Sequence, residues 1–515
     1  MSALGASSED PSAWIDTIVA DDPSRPFLVT AAGERLTYRD LDARTARIGA
    51  ALSALGVEVG DRVAVQVEKS PEAFLLGIAC LRLGAVLVPL NTAYTPAELD
   101  YFVGDAQPRL VVCDPHMRDA IGELARRHGD ARVETLDAQG QGTFAQAVAA
   151  ADAARFRRFA GDGDALAALL YTSGTTGRSK GAMITRRNLA SNAVALVEAW
   201  RLVPSDVMLH ALPIFHVHGL FISGNAILAA GASFVFLPKF DAADVLRRLR
   251  DVTVLMGVPT FYTRLLQLPG LDRAATAGMR LFVSGSAPLL AETHREFEAR
   301  TGHGIVERYG MTETQINASN PYDGARVPGA VGFPLPGVTI RITDLEKGVP
   351  LATGETGMIE VRGPNVFRGY WRNPEKTAAD LKPDGFFRTG DVGRFDERGY
   401  LFIVGRAKDL VITGGYNVYP IEVETEIDQL PGVVESAVIG VPHPDFGEGV
   451  TAVVLCKPGT GLTEAAVLDA LKDRLAKYKL PKRVLFADDL PRNALGKVQK
   501  NVLRERHGDL YRGSR

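Results

Sequence analysis

Apolar residues recur along the chain with two different periods. Short runs rich in Val, Ile and Leu lie at 62–67, 85–88, 110–113, 252–256 and 281–284. Their length and β-branched content predict buried strands. Longer stretches at 38–55, 242–250 and 290–301 space their apolar residues three and four apart, which predicts amphipathic helices. Alternating strands and helices imply α/β layers with mainly parallel sheets. Residues 207–238 contain no Asp, Glu, Lys or Arg. That length raises a membrane-spanning helix, but His210, Pro213, His216, His218 and Asn225 interrupt it. Buried strand–turn–helix core is the better reading.

The pattern changes after Gly329. Segments 338–343, 356–361, 385–388 and 400–404 read as strands with turns between them, a smaller β-rich section. Beyond Lys408, segments 420–429, 433–441, 450–457 and 463–475 read as helix, strand, strand, helix, a compact α+β unit. The alanine-rich stretch 145–154 is predicted helical. The expected fold class is therefore α/β. A large N-terminal domain of layered α/β subdomains carries the β-rich section, and a small α+β domain follows it.

Composition narrows the function classes. The chain has 515 residues, 46% apolar and 23% charged, with net charge -3 and pI near 6.3. No basic excess points to nucleic acid or a membrane surface. Three cysteines, Cys80, Cys113 and Cys456, lie far apart. They form neither a disulfide framework nor a metal-ligand cluster. With no secretory signal in the first residues, a reducing, cytoplasmic setting is expected.

Residues 171–181 read Tyr-Thr-Ser-Gly-Thr-Thr-Gly-Arg-Ser-Lys-Gly, with three glycines, five Ser/Thr hydroxyls and one lysine. Glycines let backbone N–H groups approach an anion, hydroxyls add donors, and Lys180 adds a charge. The glycine spacing is not that of a Walker A loop. A phosphate grip by Thr172, Ser173, Thr175, Thr176 and Lys180 is expected. Three further clusters carry chemistry. Tyr309-Gly-Met-Thr312-Glu313 offers a hydroxyl and a carboxylate. Beside a triphosphate, that carboxylate calls for Mg²⁺. Arg388-Thr-Gly-Asp391, with Arg406, offers a carboxylate suited to ribose hydroxyls. Pro491-Arg-Asn-Ala-Leu-Gly-Lys497 ends in a cation that could stabilise charge gathering between two anions. Each cluster taken singly also reads as a surface turn.

Together, and in this order, these motifs resemble the adenylate-forming superfamily of acyl-CoA synthetases, luciferases and peptide-synthetase adenylation domains. Ser179 stands where most members carry proline. The resemblance implies an N-terminal AMP-binding domain over 1–407 and a mobile C-terminal domain over 408–515. The hinge would be Lys408, and Lys497 the catalytic lysine. Thr172 and Glu313 would serve catalysis beside it, with Glu313 holding Mg²⁺. ATP or AMP would be held by the phosphate grip, Tyr309 against adenine, Thr312, Asp391, Arg406 and Lys497. Gly414, Gly415 and Tyr416 would face coenzyme A. Free coenzyme A is the expected acceptor.

The acid is read mainly from Arg308. A buried arginine suits a second carboxylate and is poorly suited to a fatty chain. Pairing of Arg308 with Glu307 remains the alternative. The strings around His216-Val217-His218-Gly219, Ser284-Gly285-Ser286 and Glu307–Thr314 resemble malonyl-CoA synthetases. That implies a distal carboxylate held by Arg308, His216 and Ser286. Arg178 would help, and Val217 and Ile316 would meet an α-methyl group if methylmalonate is taken. Another short-chain or aryl acid is the competing substrate. A regulatory protein that kept the fold without catalysis, and a luciferase-like oxygenase, are the competing classes. Expected partners are small molecules, with neither nucleic acid nor membrane. A lysine acetyltransferase and deacetylase could act on Lys497, whose single charge is expected on an exposed loop. Both monomer and dimer remain open.

Overall fold

The computed structural model describes residues 9–172, 179–492 and 496–512. Its contacts gather into two compact units, Met1–Ile340 with Val361–Phe387, and Arg341–Glu360 with Arg388–Arg515. Residues 341–360 and 388–406 fall in the second of these units.

The first unit is layered α/β. A six-stranded sheet runs in the order Arg132–Thr135, Leu110–Cys113, Arg62–Gln66, Val86–Pro89, Leu166–Thr172 and Lys180–Thr185. It is parallel except for the last pair. In the second sheet, Val306–Met311, Leu281–Ser284, Val254–Gly257, Val207–His210, Ser233–Phe236 and Pro26–Thr30 lie side by side and parallel. Such strands are buried on both faces, so their sequences are near-continuous apolar runs. Leu281–Ser284, for example, is wholly buried.

Local chemistry sets the helix starts. Thr37 and Asp40 form a reciprocal cap on Tyr38–Ala54, as do Thr95 and Glu98 on Pro96–Ala106. Ser70 caps Pro71–Leu83, which ends at left-handed Gly84. The uncharged stretch forms the strand Val207–His210, a π-helix His218–Ser223, the helix Gly224–Ala230 and the strand Ser233–Phe236. This is the expected buried core. No helix among the described residues is long and apolar enough to cross a membrane.

The second unit holds the expected α+β fold around a five-stranded sheet. Val433–His443 and Gly447–Cys456 form its long antiparallel pair. Period-two alternation divides their side chains. Val438, Val450, Ala452 and Val454 join one core with the helices Pro420–Asp428 and Glu464–Leu471. Ala437, Ile439, Val441 and Val453 join another with Leu503 of the helix Lys500–Arg506.

Phe282 illustrates the energetics of the first core. It is fully buried, 4.9 Å edge-on to Phe297. Phe282→Ala is expected to cost ~3–5 kcal/mol of stability, read as a lower denaturant midpoint.

Candidate active site

Several parallel strands of the first unit end at one edge, and Arg308 and Ser286 of the predicted acid-site residues lie near those carboxyl ends. His210, Gly257 and Ser284 are the last residues of their strands, and Arg308 lies beyond Glu307, the register partner of Ser284. Crevices outside the carboxyl ends of parallel strands are where such sheets bind ligands. Ser286, two residues past its strand, adopts φ +71°, a strained conformation for a residue other than glycine.

Arg308 and Glu307 do not pair. Successive residues of a strand face opposite ways. Glu307 turns to His294 Nδ1, 3.4 Å away, and accepts from the Gly329 amide at 3.1 Å. Arg308 turns to the other face. It is 6% exposed, and its Nε and Nη2 have no hydrogen-bond partner among the described residues. Burial pushes the guanidinium pKa down to about 9. The guanidinium packs over Gly285, where an added Cβ would lie 2.3 Å from Arg308 Cζ.

Two histidines share this charge field. Burial, and then the Arg308 charge, push His216 down to about 4. Burial lowers His218 as well, followed by Arg308, His216 and His210. Both imidazoles are therefore neutral near pH 7. The His218 amide donates to His216 Nδ1 at 3.2 Å. His218 Nδ1 lies 3.2 Å from Ser286 Oγ, while its Nε2 is buried and unpartnered. His218 thus stands beside Ser286, one of the residues expected at the acid. Val217 and Ile316 are buried members of the main core.

The segment expected to grip phosphate connects two antiparallel strands. Thr172 ends Leu166–Thr172, Lys180 begins Lys180–Thr185, and the two are register partners. Ser173, Thr175, Thr176 and Arg178 lie outside the described residues. The helix Pro96–Ala106 holds both stems. Tyr171 Oη donates to Asp105 at 2.5 Å, and Tyr101 Oη donates to the Ser179 carbonyl at 2.7 Å. Spacing within 171–181 carries no trace of this clamp, which comes from a helix distant in sequence.

Tyr309 is buried on the strand Val306–Met311, and Thr312 and Glu313 form the turn after it. An added Cβ at Gly310 would lie 1.8 Å from the Gln315 carbonyl oxygen, so only glycine fits. Glu313 is buried and accepts from Tyr370 Oη at 3.1 Å. Nothing in the local sequence singled out Tyr370. Among the described residues no cluster of three or more His, Cys, Asp or Glu could hold a metal alone. A Mg²⁺ on Glu313 would need its other oxygens from nucleotide phosphates and water, which is how that ion is usually held.

The remaining predicted residues lie in the second unit. Asp391 and Arg406 are cross-strand partners, joined by an ion pair at 2.9 Å. Lys497 is half-buried rather than exposed, and burial pushes its ammonium down to about 8, with Arg406 adding to the effect. Its loop is closed by Arg492, which donates to the Gly496 carbonyl at 2.8 Å and pairs with Glu435. Lys500 and Arg504, which follow that loop, are held in ion pairs. They pair with Glu424 at 2.6 Å and Asp409 at 2.5 Å. Lys408 is exposed in the short turn Ala407–Asp409. Gly414 and Gly415 form a two-residue hairpin loop, with φ +57° and +79°, between Val411–Thr413 and Tyr416–Val418. That turn requires glycine whether or not a ligand approaches. Exposed Tyr416 stacks on Tyr478 at 4.8 Å.

This fold and motif set define an AMP-binding enzyme, and the chain belongs to that family. Residues 15–371 match the AMP-binding enzyme family and 422–497 match the AMP-binding enzyme C-terminal domain. ATP-bound MatB from Rhodopseudomonas palustris is 58% identical, with TM-score 0.95, over 97% of this chain and 99% of that one. A mitochondrial malonate–CoA ligase of Mus musculus is 36% identical over 91% of this chain and 86% of that protein. An indoleacetate–CoA ligase of Aromatoleum aromaticum is also 36% identical, over 96% and 97%.

The contact between Gly285 and Arg308 yields a direct test. Gly285→Ala is expected to displace the guanidinium and raise the KM for the acid about tenfold, leaving the KM for ATP unchanged, in a pyrophosphate-release assay.

Proposed function

We propose that this chain ligates malonate to coenzyme A through an acyl-adenylate, at the expense of ATP. The observation that carries the reading is the buried guanidinium of Arg308, whose Nε and Nη2 have no hydrogen-bond partner among the described residues, beside neutral His216 and His218. A buried cation without a partner is costly, and a carboxylate held bidentately relieves that cost. An acid with one carboxylate, consumed in the reaction, leaves Arg308 unpaired. A second, distal carboxylate does not. Relatives at similar identity carry names for malonate and for indoleacetate, so identity alone does not choose the acid.

In the first half-reaction, a carboxylate oxygen of the acid attacks the α-phosphorus of ATP. The bond to the bridging oxygen breaks and pyrophosphate leaves. In the second, the coenzyme A sulfur attacks the acyl carbon, the thiol proton is lost and AMP leaves. Arg308, His216 and Ser286 would orient the acid, with Arg178 assisting. Val217 and Ile316 would meet a methyl group, worth roughly 1–3 kcal/mol either way, so methylmalonate is a candidate second substrate. Thr172, Ser173, Thr175, Thr176, Lys180 and Thr312 would hold phosphates, and Tyr309 would pack on adenine. Asp391 and Arg406 would take the ribose. Glu313, oriented by Tyr370, would hold Mg²⁺, which when bound neutralises phosphate charge.

Lys497 would stabilise the charge gathering at the α-phosphate. We assign the hinge to Lys408, with the functional boundary between 1–407 and 408–515. Gly414, Gly415 and Tyr416 would then serve the coenzyme A step. The free cysteines, two of them buried, support a reducing and cytoplasmic setting. Acetylation of Lys497 would remove its charge and selectively stop adenylation.

Replacing Arg308 by Ala is expected to abolish malonate-dependent pyrophosphate release, by up to ~10⁴-fold, while ATP still binds. Unchanged malonate kinetics would remove the second-carboxylate argument. The pH profile tests Lys497. Its protonated form is the active one, and its proton leaves near pH 8. The kcat/KM for adenylation should therefore fall roughly tenfold per pH unit above about pH 8. Lys497→Ala should erase that limb of the profile.

A further inference from the structure

Beneath the turn that carries His216 and His218 lies a buried pair that the reaction scheme does not use. Lys69 is 8% exposed and His210 is 1% exposed. Lys69 Nζ lies 2.8 Å from His210 Nδ1, donates to the His210 carbonyl at 2.9 Å, and sits 4.3 Å over the Phe236 ring. His210 Nε2 lies 2.8 Å from the Gly219 carbonyl oxygen.

The donor directions follow from chemistry alone. A carbonyl oxygen only accepts, so His210 Nε2 must donate. A neutral imidazole then presents Nδ1 as an acceptor, and Lys69 must be its donor. Donation runs one way, from Lys69 to His210 to Gly219. Each anchor is firm. Lys69 directly precedes Ser70, the cap of Pro71–Leu83, and His210 ends the strand Val207–His210. Gly219 lies against the Pro213 carbonyl so closely that an added Cβ would sit 2.2 Å from its oxygen, so only glycine fits there. The Leu220 amide, donating to the His216 carbonyl at 3.0 Å, closes the same turn. The π-helix His218–Ser223 continues it, a rare form that concentrates at functional sites.

We propose that Lys69 and His210 are positioning residues for the acid site, fixing the 216–219 turn through the Gly219 carbonyl so that His216 and His218 face Arg308. The proposal rests on the reading of this pocket as an acid site. An apolar pair would hold the same elements together without burying an amine. What an apolar pair cannot do is grip a carbonyl and so set the pitch of the turn. Burial is the first cause that lowers the pKa of Lys69, His210, His216, His218 and Arg308 alike, so all five stand in one poorly solvated region.

The test compares Lys69→Met, His210→Leu and His210→Gln by pyrophosphate release with malonate and with acetate. Thermal midpoint and ATP affinity are measured alongside. Lys69→Met and His210→Leu are expected to raise the KM for malonate about tenfold and lower the malonate-to-acetate ratio of kcat/KM, with ATP affinity kept. His210→Gln, which retains an acceptor for Lys69 and a donor for Gly219, is expected to recover most of the loss. Equal loss for both acids, unchanged malonate kinetics, or His210→Gln behaving like His210→Leu overturns the proposal. If Lys69→Met does not fold, the two His210 variants decide. A wild-type enzyme that does not prefer malonate to acetate instead defeats the substrate reading. The same variants are then compared on the acid it does use, against the analogue lacking that acid's distal group.

Discussion

Arg308 carries a charge into a place where neighbouring side chains leave two of its nitrogens without partners, and the packing around it follows from that. The guanidinium needs a floor, which Gly285 supplies by having no side chain. It needs neighbours that do not neutralise it in advance, and His216 and His218 stay neutral because burial and Arg308 itself disfavour their protonation. Glu307, one residue away, could have quenched the site, but the strand pleat sends it to His294.

That sheet explains why distant segments converge. Parallel strands end together, so residues near 210, 257, 285 and 308 meet at one edge although nearly a hundred positions separate the first from the last. The turn with His216 and His218 is added to this edge as a loop and must be held from below. Lys69 and His210 occupy that place, one before a capped helix and the other at a strand end.

The second unit treats charge differently. Asp391 meets Arg406 directly across a strand pair, and Lys500 and Arg504 meet Glu424 and Asp409. Burial, and then the Arg406 charge, leave the Lys497 proton held less firmly than that of a free lysine, with Asp391 and Asp409 opposing them. The first unit thus presents, among the described residues, a guanidinium with two unpartnered nitrogens, while Arg406, Lys500 and Arg504 of the second are paired.

The sequence by itself determined the element types, because hydrophobic period and β-branched runs are local properties. The strand at 110–113 and the helix over most of 38–55 were legible to within a residue or so. The motifs around Lys180, Glu313, Asp391 and Lys497 were legible too, since each is a dense local string, and the match of the chain to the AMP-binding enzyme family agrees with them. Only the tertiary structure decided who faces whom. It separated Glu307 from Arg308, brought His218 to Ser286, placed Tyr370 on Glu313, and set Lys69 under a turn some 150 residues away. Those pairings depend on strand pleat and sheet order, which fix distances between residues far apart in the chain and leave no trace in any short stretch of it.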